Sequence, residues 1–411
     1  MKLLWILLMA VSLSTSIHAQ QTFTLQQAVA EALKNNLGIR ASALEVESQR
    51  QLKKTSFDLP KTNVSLLYGQ YNSYAKNDNN ITVTQTIPLT VFGSQGSLNR
   101  AMITSSELKK AATENELIYQ VKETFYELDY RMAMRDLLHQ EDSIYEGSLK
   151  AAALRYKTGE TSLLEHATAE TQRNEIKNLL AKNEAEQFIV RSQLKTLLNS
   201  QELPHIVHTQ TAEELSSGIS PDTASIQANP SMAYMRQQVE VARGQKKVEA
   251  ANAAPEILLG FFSQTLIGIE DTEGSGATAS SGDRFTGFQV GLAIPLWFVS
   301  HQGKVKAAEY NRQAAESNFK YHQKSLQDQY QQAYQNYLKN RNNLVYYKNS
   351  ALPNAELILK QSQVAFKMGE IGYVEYLLVV HRAITLKEEY ALSLKEYNQS
   401  INYLEFLSGN K

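Results

Sequence analysis

Ile87-Pro88-Leu89, followed by Gln95-Gly96, returns as Ile294-Pro295-Leu296, followed by Gln302-Gly303, 207 positions later. Each copy ends an alternating run and opens a long polar stretch. Further on, Tyr156-Lys157-Thr158-Gly159-Glu160 returns as Phe366-Lys367-Met368-Gly369-Glu370, at an offset of 210. Glu165 is echoed by Glu375 at that same offset. A repeat of about 200 residues is too long for a solenoid unit and suits a duplicated domain.

The runs before the two Ile-Pro-Leu marks read as strands. The first pair covers 63–71 and 81–87, joined by the polar turn 76–80. Ile81, Val83 and Ile87 share one face, with Gln85 as its polar break, while Thr82, Thr84 and Thr86 share the other. The second pair covers 257–264 and a return strand with Phe288, Val290, Leu292, Ile294 and Leu296 on one face. Gln289, Gly291 and Ala293 lie opposite. The Gly/Ser/Thr-rich connection 270–283 reads as a mobile loop.

Helical patterns fill most of the rest. A helix over 24–57 opens with Thr24 and Gln27 in capping-box positions and ends before Pro60. A second spans 96–157. Its seam Leu117, Val121, Phe125, Leu128 and Met132 keeps coiled-coil spacing. At 1.5 Å per residue it reaches roughly 90 Å. The partner helix runs over 303–368 with the stripe Leu326, Tyr330, Ala333 and Tyr337, and Pro353 should kink or locally break it. Both turn at a glycine and return as helices over 162–198 and 373–407. The organisation expected is therefore a leader over 1–19, a first repeat over 20–200, a connector over 201–228 with one short helix, and a second repeat over 229–411.

The leader has a basic start at Lys2, an apolar core over 3–13 and a small residue at Ala19, the pattern of a cleaved secretory signal. No cysteine occurs, which excludes a lipid-anchoring cysteine, disulfides and thiolate metal sites. Lys plus Arg number 41 and Asp plus Glu 42, without the basic excess of a nucleic-acid binder. The eight histidines form no metal motif, and no nucleophile elbow, phosphate loop or triad pattern appears. The expectation is a non-enzyme with no cofactor and no bound metal.

The strands approach the length of about 9–11 residues that a tilted membrane strand needs. Tyr68, Tyr71, Tyr74, Phe92, Phe261, Phe262, Trp297 and Phe298 sit at or near strand ends, where an aromatic girdle belongs. Four strands alone leave open edges, which a bilayer forbids. A membrane role therefore requires several chains to share one barrel with cyclic symmetry. Two other readings stand beside it: a periplasmic adaptor, which would need one helical hairpin flanked by compact β domains, and a secreted helical structural protein.

Over essentially the whole mature chain the sequence resembles the TolC family of outer-membrane efflux channels. The residues carrying the likeness are 28–36, Asn229-Pro230, both Ile-Pro-Leu joins, the turns at Gly159 and Gly369, and the ending from Tyr397-Asn398 to Leu407-Ser408-Gly409. The resemblance implies a mainly α fold with a small β part. Three chains would share a twelve-strand β-barrel in the outer membrane, continued by a twelve-helix α-barrel in the periplasm. It implies a passive duct whose partners are outer-membrane lipid, a periplasmic adaptor protein and an inner-membrane transporter of the resistance–nodulation–division type. Leu352-Pro353-Asn354-Ala355 and the run from Gly369 to Tyr376 resemble the members that serve heavy-metal and other cation pumps. The resemblance also places adaptor docking at the two helical turns, on Tyr156, Lys157, Gly159, Phe366, Lys367 and Gly369. It places Glu165 and Glu375 beside the periplasmic gate, where carboxylates would favour cations. The family's second pore-facing aspartate falls near Leu378, which is apolar here.

Overall fold

The computed structural model describes residues 22–70, 73–209, 211–215, 223–270 and 276–410. The leader, Tyr71 and part of the 270–283 connection lie outside them. In chain order the elements are β1 (Thr22–Phe23), α1 (Leu25–Asn35), α2 (Leu37–Leu52), β2 (Asn63–Tyr68), β3 (Asn79–Ile87), α3 (Leu89–Lys157), α4 (Leu163–Leu198) and β4 (His205–Ile206). Then come α5 (Pro230–Ala251), β5 (Glu256–Gln264), β6 (Phe285–Ala293), α6 (Phe298–Tyr346), α7 (Leu352–Lys367) and α8 (Tyr373–Ser408). They form two compact units, one of 1–40, 113–229 and 326–411, the other of 41–112 and 230–325. Each sequence repeat contributes to both.

The helical unit is built on the seam read from the sequence. Leu117, Val121, Phe125 and Leu128 are buried, and Met132 packs at their edge. They meet Ala28 and Ala32 of α1 and Val190, Leu194 and Leu198 of α4. Leu326, Tyr330, Ala333 and Tyr337 of α6 are buried as well. Pro353 stands at a local break in the α-helical ladder. It stands in the first turn of α7, after a π-helical stretch Tyr347–Ala351 that ends α6. There its missing N–H leaves no backbone bond unmade.

The first helix is broken where one was expected. Asn36 is extended (φ −61°, ψ 129°) between α1 and α2. Its Oδ1 accepts from Gly38 N at 2.8 Å, which caps α2, and its Nδ2 donates to Leu197 O at 2.9 Å. Asn229, just before α5, donates Nδ2 to Leu407 O at 2.9 Å. Leu197 and Leu407 stand 210 positions apart, the offset of the glycine turns. The duplication thus extends to how each return helix is capped. Asn36→Ala is expected to lower stability by about 1–2 kcal/mol, read by thermal unfolding, since it removes a cap and leaves a carbonyl unpaired.

The chain ending also acquires a physical reason. Asn398 is buried, donating to Thr211 O at 2.9 Å and accepting from Glu213 N at 2.9 Å. Asn402 donates to Tyr119 O at 3.1 Å and to Glu123 Oε1 at 2.8 Å. Burial pushes the Glu123 carboxyl up to about 7, with Asn402 and Lys395 opposing. A raised value in the fold means stability is greatest below the ordinary glutamate range and falls as pH rises through about 7. Glu123→Gln should therefore raise the melting temperature at pH 8 and change it little at pH 4. The gain is on the order of 2 kcal/mol after discounting partial exposure.

The other unit holds a four-stranded antiparallel sheet in the order β2-β3-β5-β6. Asn79 and Asn80, expected in the turn, belong to β3, and β2 ends at Tyr68. Strand β6 stops at Ala293, short of Ile294 and Leu296, because Pro295 cannot donate to a ladder. Below the sheet, Asn99 Nδ2 donates to Leu52 O and Ser56 Oγ, both at 3.1 Å. Gln237 Nε2 donates to Ala101 O at 2.9 Å and Gln238 Nε2 to Ser105 Oγ at 2.7 Å, tying α5 to α3.

The connector adds a two-stranded parallel ladder, β1 with β4, and a 3-10 turn Thr223–Ala228. Its Gly218 and Pro221 lie outside the described residues.

Candidate functional site

The register of the sheet sorts its side chains by face, since directly paired residues point the same way. Val64 pairs Val83, Val83 pairs Phe261, and Phe261 pairs Phe288. One row up, Leu66 pairs Ile81; one row down, Leu259 pairs Val290, and two rows down, Ile257 pairs Leu292. These residues make one apolar face across all four strands. Phe288, Val290 and Leu292 are 86%, 78% and 60% exposed. The opposite face is mixed: it carries Ser65, Thr82, Thr84, Thr86, Gly260, Gln289 and Gly291, but also Leu67, Leu258, Phe262 and Phe285. Gln85, the polar break on the apolar face, is satisfied. Its Nε2 donates to Pro60 O at 2.8 Å and its Oε1 accepts from Thr62 Oγ1 at 2.6 Å.

The described end of the β2–β3 turn is held by hydrogen bonds. Asp78 is fully buried, accepting from Thr265 Oγ1 at 3.0 Å and Ile267 N at 3.2 Å, and from the Ser73 hydroxyl. The hydroxyl of Ser73 leads these bonds in holding its carboxyl below the usual range, against the effect of burial. The described flanks of the second connection are also hydrogen-bonded, Gly268 N to Ala279 O at 2.9 Å and Ala279 N to Ile269 O at 2.8 Å.

The two helical turns have the same backbone. Gly159 (φ +79°) and Gly369 (φ +76°) occupy the left-handed region. Glu160 N donates to Arg155 O at 2.8 Å and Gly159 N to Tyr156 O at 3.2 Å. Glu370 N donates to Ala365 O at 2.9 Å and Gly369 N to Phe366 O at 3.1 Å. Both are Schellman caps, which a glycine accommodates without a Cβ penalty. The two hairpins pack on each other just inside the turns, through Tyr145, Ala152, Ala169, Tyr373, Tyr376 and Leu377.

Of the residues assigned to docking, Tyr156, Lys157, Lys367 and both glycines are exposed. Phe366 is half-buried. Its ring stacks on Tyr376 at 4.5 Å between centroids, so it holds the turn. Leu163, Leu164, Met368 and Val374 stand exposed around the two turns. None of these four is among the docking residues named from the sequence. The signal available was two leucines directly after the capping Ser162.

The two glutamates that the resemblance assigns to a gate differ. Glu165 accepts from the Thr161 hydroxyl and faces the Arg155 guanidinium at 3.5 Å. Glu375 is exposed, with no ion pair among the described residues. Among those residues, no group of three or more histidines and carboxylates can hold a metal, and no helix is long and apolar enough to cross a membrane.

No family model matches the chain, and no curated protein matches it in sequence. Solved structures do. CusC, described in terms of folding and transmembrane channel formation, shares 15% identity, 94% of this chain and 92% of its own, with a TM-score of 0.75. The outer-membrane channel OprN gives 14% identity, 94% and 90% coverage, and 0.76. The CmeC outer membrane channel of Campylobacter jejuni gives 15%, 94% and 85%, and 0.76. The chain therefore has the fold of these outer-membrane channels.

Proposed function

We propose that the chain is one protomer of a homotrimeric outer-membrane exit duct of the TolC type. The observation that carries this reading is the sheet. Strands β2 and β6 are its edges, and one face is apolar and uncovered. In hydrocarbon, open edges are not tolerated, so β6 of one copy must pair with β2 of the next. Three copies of the four-stranded sheet make a twelve-strand ring. The face of Phe288, Val290 and Leu292, apolar and exposed, meets lipid, and the mixed face, which carries all the threonines of β3, meets the lumen.

Such a duct does no chemistry. A resistance–nodulation–division transporter in the inner membrane and a periplasmic adaptor supply energy and cargo. The adaptor docks on the two capped turns. Metal cations stand among the cargo on the resemblance of 352–376. Fold likeness adds no preference, being equal for CusC at 0.75 and OprN at 0.76.

The test is fractionation followed by reconstitution. The chain is expected in the outer-membrane fraction as a detergent-resistant trimer that conducts ions across a planar bilayer. A monomer released by carbonate overturns the reading.

A further inference from the structure

Four helical segments lie below the sheet in the same unit, and they follow its strand order. Helix α2 meets α3 through Glu45 with Lys109 and Arg50 with Glu107, both at 2.8 Å. Helix α3 meets α5 through Gln237 and Gln238. Helix α5 meets α6 through Lys246 with Glu309 and Ser231 with His322, both at 2.9 Å. The layer therefore runs α2-α3-α5-α6, as the sheet runs β2-β3-β5-β6. Its outer helices are joined in sequence to the two edge strands.

Each outer helix carries a second stripe that no described residue covers. On α6 it is Ala307, Tyr310, Ala314, Ser317 and Tyr321, in alternating steps of three and four. All five are exposed, the two tyrosines by 59% and 77%. On α2 it is Ala41, Leu44, Ser48 and Leu52, again all exposed. Steps of three and four hold residues on one stripe, the pattern of helices that interlock their side chains. Both stripes mix large and small residues.

The heights of the two stripes match. Asn99 of α3 donates to Leu52 O at 3.1 Å, and Lys109 of α3 pairs with Glu45. The repeat offset of 207 carries these two α3 positions to 306 and 316 on α6. In a ring of equivalent copies, Leu52 of one copy then stands level with 306 of its neighbour, and Glu45 level with 316. At that height Leu52 faces Ala307, Ser48 faces Tyr310, Leu44 faces Ala314 and Ser317, and Ala41 faces Tyr321. Each large side chain meets a small one.

We propose that α6 of one copy packs antiparallel on α2 of the next, and that this seam fixes the register in which β6 and β2 join. The inference rests on the trimeric reading above. The strands alone leave that register open. Strand β2 has six residues and β6 nine, and a slip of two residues keeps every side chain on its face. Such a slip is about 7 Å, or roughly four to five residues of helix. In either direction it brings Leu44 beside a tyrosine, Tyr310 or Tyr321, and the interlock is lost.

The chain has no cysteine, so paired substitutions introduce its only thiols. Leu44→Cys combined with Ser317→Cys should give a covalent trimer on a denaturing gel, after oxidation of membranes with copper phenanthroline. Leu44→Cys combined with Ala307→Cys, roughly 14 Å out of level, should give none. Ser48→Phe fills the space opposite Tyr310 and should cut the yield of detergent-resistant trimer about tenfold, whereas Ser48→Ala leaves it unchanged. Ser48 is exposed within its own chain, so neither change disturbs the fold of a single copy. A detergent-resistant trimer in which the first pair fails to link, or in which both pairs link alike, overturns the seam and leaves the trimer standing. So does full trimer yield with Ser48→Phe. A chain that forms no trimer overturns both.

Discussion

Tryptophan at both Gly159 and Gly369 is expected to abolish efflux while the trimer still assembles. Both glycines hold a left-handed backbone, at φ +79° and +76°. An L-residue there costs about 1–2 kcal/mol per site. That strain is small beside the packing of the hairpins through Tyr145, Ala152, Ala169 and Tyr373. A Cβ built at either position meets no heavy atom within 4 Å. The new ring therefore projects away from the hairpin, into whatever docks on it. Alanine at both sites carries the strain without the bulk and separates the two effects. The alanine pair should keep most of its resistance to an exported compound, and the tryptophan pair should lose it to the level of a channel-free strain. Inhibitory concentration and the detergent-resistant trimer are the two readouts. Full resistance in the tryptophan pair would move docking away from these turns.

The long-range order of this fold is written in short-range patterns, and the misreadings have local causes. The seam from Leu117 to Leu128 was legible because each residue repeats at helical spacing and each is buried. The glycine turns were legible because an αL cap asks for glycine at one position. Helix α3 begins at Leu89 rather than Gly96, since Gly93 and Gly96 weaken a helix by only about 1 kcal/mol each. The break at Asn36 was hidden because its cause is distant. Its Nδ2 reaches Leu197 O, 161 positions away. The π-helical stretch before Pro353 and the β1–β4 ladder likewise depend on packing that no window of sequence contains. At the candidate gate, Glu165 and Glu375 occupy matching positions of the repeat. Arg155, ten positions before Glu165 and across the turn, is what separates them.

That difference sets the size of the last effect. Six positions after its glycine, each glutamate enters the first turn of a return helix. Glu165 is held by Arg155 and by the Thr161 hydroxyl, so much of its field is cancelled locally. Glu375 is exposed and carries its charge uncompensated among the described residues. In a threefold pore, three such carboxylates at a constriction attract cations by about 1–4 kcal/mol per close contact, depending on the local dielectric. Glu375→Gln should therefore remove the larger part of the cation preference, and Glu165→Gln a minor part. The measurement is the reversal potential across a salt gradient in a planar bilayer, expected to move toward zero for Glu375→Gln. The difference should shrink near 1 M salt, where the Debye length falls to about 3 Å. An unchanged reversal potential in the variant carrying both substitutions would place the two residues outside the conducting path, as solvated glutamates at helix starts.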